Sequence, residues 1–138
     1  MQVQPYLNFN GRCEEAIEFY KKALGAEVTA MLRFKDSPEP CDPKMVPPGT
    51  ENKIMHASFR VGETMLMASD CHCEGKTNFQ GVSLAISVAT EAEADRYFAA
   101  LADGGQVTMP LAKTFFSARF GMLVDRFGLA WMLVAAPK

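Results

Sequence analysis

Histidine and tryptophan are scarce in this 138-residue sequence, with two histidines and one tryptophan. Excess positive charge is also missing: 14 Lys and Arg against 16 Asp and Glu leave a net charge of -2. That balance argues against a basic nucleic-acid surface, and the scattered cations make no polybasic run for an anionic membrane. No apolar stretch approaches the ~20 residues that a membrane-spanning helix needs. The opening Met1-Gln2-Val3-Gln4-Pro5 lacks the charged-then-apolar build of a signal peptide, so a cytoplasmic location is expected. In that compartment Cys13, Cys41, Cys71 and Cys73 are expected as thiols, not as a disulfide framework. There is no Gly-rich phosphate loop, no nucleophile elbow and no paired Cys or His motif at catalytic spacing.

Apolar residues, by contrast, are plentiful. A hydrophobic fraction of 49% suffices for one packed domain, or for two half-size modules that share a core. Nine methionines are many for this length. Their first expected role is core filling, and their second is an adaptable apolar cavity wall.

Two segments carry the 3.6-residue period of an amphipathic helix. In the first, Cys13, Ala16, Ile17, Tyr20, Ala23 and Leu24 form the apolar stripe, with Asn10 as the expected cap and Gly25 as the stop. In the second, Ala94, Tyr97, Phe98, Leu101 and Ala102 form the stripe. Thr90 stands three residues before Glu93 there, which is capping-box spacing, and Gly104-Gly105 ends the helix. Strand-like segments surround both: 4–9, 27–34, 53–61 and 64–69 around the first, and 82–89, 106–111, 118–124 and 129–136 around the second. Gly62-Glu63 reads as a two-residue hairpin and Asp125-Arg126-Phe127-Gly128 as a turn. The Pro-rich stretch 35–52 is expected as a long loop.

Strand, helix, three strands, then the same again is an internal repeat. With the helices superposed, Ala16 falls on Ala94, Phe19 on Tyr97, Tyr20 on Phe98 and Leu24 on Ala102. The expected fold class is α+β: two tandem βαβββ modules with curved mixed sheets forming a cup. The first module covers 1–69, the linker 70–81 and the second module 82–138, all within one structural domain.

The segment from Asn10 to Gly25, with Glu14-Glu15-Ala16-Ile17-Glu18-Phe19-Tyr20 at its centre, resembles the first helix of glyoxalase/bleomycin-resistance proteins. These form the vicinal oxygen chelate superfamily. The tail Phe120-Gly121-Met122-Leu123-Val124-Asp125-Arg126-Phe127-Gly128-Leu129-Ala130-Trp131-Met132 and the run Ile54-Met55-His56-Ala57 resemble its PhnB-like, or demethylubiquinone methyltransferase-like, branch. The resemblance spans nearly the whole chain. It implies a sheet-lined pocket for a small molecule and a homodimer. Metal-using members hold a divalent ion at four strand positions, which the resemblance places near Pro5, Ser69, Ser83 and Leu133. Pro and Leu offer no side-chain ligand and serine hydroxyls are poor ones, so a divalent metal lacks its usual ligands here. Relatives also place a His where this chain has Ala118.

His56 is the candidate for acid–base chemistry, since histidine suits proton transfer near neutral pH. Strand alternation puts it on one face with Ile54, Ser58 and Arg60. The plainer alternative is a hydrogen-bonded His beside a strand edge. Arg60 and Arg119 are candidate ligand-facing cations, Phe116 and Trp131 candidate pocket walls, and Ser83 with Ala85 and Ser87 a small-residue face that leaves room for a ligand. Surface or core packing is the alternative for each. Cys71-His72-Cys73, with Cys41, invites a zinc reading, although structural zinc spaces paired cysteines by two to four residues. Three functions stay open: a binding protein for a small molecule, an enzyme of metal-dependent lyase, isomerase or dioxygenase type with an atypical site around His56, and an interaction module without a ligand.

Overall fold

A computed structural model describes residues 1–37, 49, 51–70 and 77–136. They form two units, Met1–Thr77 and Asn78–Lys138, each with one helix and one four-stranded sheet. The α+β reading with a βαβββ order in each half holds. Most of the loop expected over 35–52 lies outside the described residues, as do Cys41 and the Cys71-His72-Cys73 cluster.

The first unit runs β1 (Tyr6–Asn8), α1 (Cys13–Leu24), β2 (Glu27–Arg33), a 3-10 turn (Phe34–Asp36), β3 (Ile54–Val61) and β4 (Thr64–Ser69). The sheet order is β1-β4-β3-β2, with β1 parallel to β4 and the other pairs antiparallel. The apolar stripe of α1 buries Cys13, Ala16, Ile17, Tyr20 and Leu24. Tyr20 stacks on Phe59 of β3 with ring centroids 6.1 Å apart, so the Phe59 side of the sheet is the one that α1 covers. Register carries Leu66, Ala57, Ala68 and Leu7 to that same side, and all four are buried.

Strict alternation fails at two places in the β2–β3 pair, between Val28 and Ala30 and between Leu32 and Arg33. Leu32 pairs with His56, but the next β2 residue, Arg33, pairs with Ile54, which leaves Met55 as an extra residue on β3. This bulge lets Ile54 sink into the core, fully buried, instead of sharing the His56 face. The hairpin between β3 and β4 forms as expected: Val61 pairs with Thr64, and φ of +59° at Gly62 meets the demand of a tight primed turn.

The start of α1 departs from expectation. Arg12 is the N-cap residue and makes no side-chain cap, and Asn10 adopts a left-handed φ of +49°. Asp70, placed in the linker by the sequence reading, supplies the acceptors instead. It is almost fully buried and accepts from the backbone N–H of Gly11, Cys13 and Ile54 at 2.7, 2.8 and 2.9 Å. One carboxyl group thus satisfies donors at the helix start and ties them to β3. Burial, with the charges of Asp70 and Glu14, pushes the Cys13 thiol far above its ordinary range, so its thiolate nucleophile is suppressed.

The second unit runs β5 (Ser83–Val88), α2 (Glu91–Ala102), β6 (Gln106–Ala112), β7 (Arg119–Val124) and β8 (Ala130–Ala135), in sheet order β5-β8-β7-β6. Thr90 caps α2 as its spacing predicts, accepting from the Glu93 N–H at 3.1 Å. The helix packs tightly on β7. A Cβ at Gly121 would stand 2.8 Å from Phe98, so only glycine admits that ring.

The methionines overturn their first expected role. Among the described residues none is buried, and the core is built from Leu, Ile, Phe, Ala, Tyr20, Cys13 and the single Trp.

Candidate functional site

Each sheet has one face against its helix and one turned away, and the strand registers say which residues share a face. In the first sheet the face away from α1 carries Tyr6, Met67, Ser58 and Ala30 in one transverse row. Beside it lies the pair His56 and Leu32, and on the other side Met65, Arg60 and Glu27.

His56 stands centrally on this face and is part-exposed. Its two ring nitrogens each approach a hydroxyl: Ser58 Oγ lies 3.3 Å from Nε2, and Tyr6 Oη lies 3.5 Å from Nδ1. Tyr6 reaches His56 across β4, with ring centroids 5.9 Å apart, and remains 53% exposed. Arg60 is on the same face but forms an exposed ion pair with Glu27, which offsets much of its charge. The sequence reading named His56 and Arg60 and missed Tyr6. Its signal was weak, because only the order β1-β4-β3 brings β1 near β3.

In the second sheet the face away from α2 is uncharged. Ser83, Ala130, Val124 and Gln106 form one row, and Ala85, Met132, Met122 and Met109 the next. Ser83 is exposed, as expected of that small-residue face. Phe116 sits on the loop before β7, with its ring centroid 5.0 Å from that of Phe120.

Trp131 and Arg119 are on the other side. Trp131 pairs with Leu123 and Leu84, is 2% exposed, and donates its Nε1–H to Asp125 at 2.8 Å. Arg119 reaches α2, where it binds Asp95 at 2.7 Å. Neither lines the face that carries Ser83. Alternation had grouped Trp131 correctly with Leu129, Leu133 and Ala135, but that group meets the helix. Leu133 is likewise fully buried on the helix side, so the strand position facing away from α2 is Met132.

The metal-site positions implied by the resemblance do not form a ligand set. Ser69 is buried, Ser83 offers a neutral hydroxyl, and neither Leu133 nor its neighbour Met132 is a hard ligand. Among the described residues no three His, Cys, Asp or Glu side chains cluster for a metal ion. The residues do not fit the divalent centre of the metal-using members.

The comparisons agree with this fold. The sequence profile of the family described as 3-demethylubiquinone-9 3-methyltransferase matches residues 1–134. The chain belongs to that family. Protein YjdN of Escherichia coli is 35% identical, over 96% of this chain and 94% of its own length. The crystal structure of protein PA1353 from Pseudomonas aeruginosa is 47% identical with a TM-score of 0.85, covering 100% of this chain and 99% of that one. The PhnB protein from Bacillus cereus is 31% identical with a TM-score of 0.79, covering 99% of this chain and 100% of that one. The fosfomycin resistance protein FosX of Listeria monocytogenes, solved with Mn(II) and sulfate, shares the fold at 13% identity and a TM-score of 0.64, covering 99% and 90%. The fold is that of the vicinal oxygen chelate superfamily, in its PhnB-like branch. No helix among the described residues is long and apolar enough to cross a membrane.

Proposed function

We propose that this chain binds a small molecule on the face of its first sheet turned away from α1, with His56 as the central contact. The observation that carries the reading is the pair of hydroxyls at the two nitrogens of a part-exposed histidine, set among Leu32, Met65 and Met67. A few polar groups converging within an apolar wall is the usual make-up of a ligand site. Thioethers adapt their shape to a ligand more readily than branched side chains do. Ser83 and Phe116 belong to a second contact surface on the uncharged face of the other sheet.

Binding is favoured over metal-dependent lyase, isomerase or dioxygenase chemistry by the donor set, since serine, proline, leucine and methionine cannot replace hard ligands. The reading includes a cytoplasmic homodimer. Six of the seven β6 residues are exposed on an edge strand, and such edges call for cover. Light scattering is expected to give twice the 15.2 kDa chain mass.

The test of the binding reading is a small-molecule titration followed by methionine-methyl NMR. The Met65 and Met67 methyl resonances are expected to shift with a bound compound in the wild type and to stay still in His56→Ala. Ligands that shift only resonances of the second unit would overturn it.

A further inference from the structure

We infer that the Ser58–His56–Tyr6 chain is a proton-set selector for an oxyanion, with the Tyr6 hydroxyl as the group that touches the ligand; this rests on the binding reading above. The ligand class is an aromatic carboxylate.

The reasoning starts from donor arithmetic. A neutral imidazole has one N–H and one acceptor nitrogen, whereas an imidazolium has two N–H donors and no acceptor. Both nitrogens of His56 have a hydroxyl oxygen as their neighbour. In the neutral ring, one hydroxyl accepts and the other donates, and the tautomer decides which. The Tyr6 hydroxyl can then turn its own proton inward to Nδ1 or outward. Once the ring is protonated the choice ends. Nδ1–H points at Tyr6 Oη, so the tyrosine proton must go outward, toward an acceptor on the ligand. A carboxylate gains most, because it meets a donor hydroxyl backed by a positive ring.

The surroundings leave His56 as the controlling charge. Among the described residues, the other ionisable groups on this face are Tyr6 on β1, Glu27 on β2 and Arg60 on β3, while β4 contributes Met65, Met67 and Ser69. Arg60 and Glu27 pair with each other. The apolar neighbours Leu32 and Met67, with the half-exposed Tyr6 ring, suit an aromatic body behind the carboxylate, since thioethers pack well at ring edges.

The test uses benzoate and benzyl alcohol as matched probes, titrated into the full chain at about pH 5.5 and about pH 8. Benzoate is expected to bind roughly tenfold more tightly at the lower pH, the scale of one charge-assisted hydrogen bond, and benzyl alcohol to gain far less. Tyr6→Phe keeps the ring and is expected to abolish the benzoate gain between the two pH values. Equal benzoate affinity at the two pH values, or a full gain retained in Tyr6→Phe, would overturn the selector alone. Failure of both probes to shift the Met67 methyl would instead count against the binding face itself.

Discussion

The two units share a strand order and differ in how each holds its helix. At α2 the work is local: Thr90 accepts from the N–H three residues on, within a single turn of chain. At α1 the acceptor comes from the far end of the unit, because Asp70 follows β4 and lies 57 residues from Cys13. The second unit also has a buried aspartate, but at a different place. Asp125 sits in the β7–β8 turn, where it accepts from the N–H groups of Phe127 and Leu129 and from Trp131 Nε1. One unit thus uses its buried carboxyl to join helix to sheet, and the other to close a hairpin under a tryptophan. Topology is repeated, while the polar fastening was solved twice. The helix–sheet contacts diverge as well. At α1 an aromatic of the helix, Tyr20, meets an aromatic of the strand, Phe59, whereas at α2 Phe98 comes down onto Gly121.

The largest effect should come from Asp70→Ala. It strips a buried acceptor from three backbone donors, and hydrogen bonds to a charged group are worth more than neutral ones, so a loss of roughly 3–5 kcal/mol is expected in a urea melt. Alkylation of Cys13, which burial in the core suppresses most, should then quicken in step with the lost stability, because the thiol is reached when the unit opens. A loss below about 1 kcal/mol would mean that water replaces the carboxyl and that the long-range cap is incidental.

Asp125→Ala should rank second, at about 2–4 kcal/mol, because one of its three donors is a side chain that can shift. The change should also red-shift tryptophan emission, as Trp131 is the one tryptophan and is buried against this group. Thr90→Ala should rank third, at about 1 kcal/mol, the usual value of a local N-cap. If Thr90→Ala matched Asp70→Ala, the contrast between local and long-range capping would fail.

The order of these effects follows how legible each feature is in sequence. Strand limits, both helical stripes and the Thr90 cap depend on residues within about one turn or one pleat of each other, where periodicity is a direct readout. Thr64 to Ser69 was legible to the residue for that reason. Asp70 was read as linker because nothing near it in sequence states that it reaches Gly11. The bulge at Met55 shifts one residue within an otherwise regular strand, and alternation cannot register it. Alternation also yields two faces without saying which one meets the helix. Trp131 was therefore grouped correctly with Leu133 on a face that meets the helix, and Arg119, expected as a ligand-facing cation, reaches Asp95 of α2 instead. The methionines misled for a related reason: apolar character says that a side chain tolerates burial, not that the core has room for it. At the candidate site, Ser58 was legible two residues from His56, whereas Tyr6 required the strand order.

The smallest effect concerns how α1 is held to β2 at the surface. Arg33 donates to both carboxyl oxygens of Glu14, at 2.5 and 3.2 Å, and this holds the Glu14 carboxyl below its ordinary value. A carboxyl whose folded value is depressed adds stability that is fully present above its unfolded value of about 4.3 and is lost as pH falls through the lower folded value. Glu14→Gln should therefore cost a little at neutral pH and nothing once the pH is well below that window. The side chain is 51% exposed, so solvent and salt screen most of the attraction. Urea melts of wild type and variant should separate slightly at neutral pH and converge in acid, with the gap narrowing at high salt. A gap that persisted unchanged into acid would assign the effect to packing of the Glu14 stem and not to its charge. The electrostatic fastening of α1 that the melts resolve would then be Asp70.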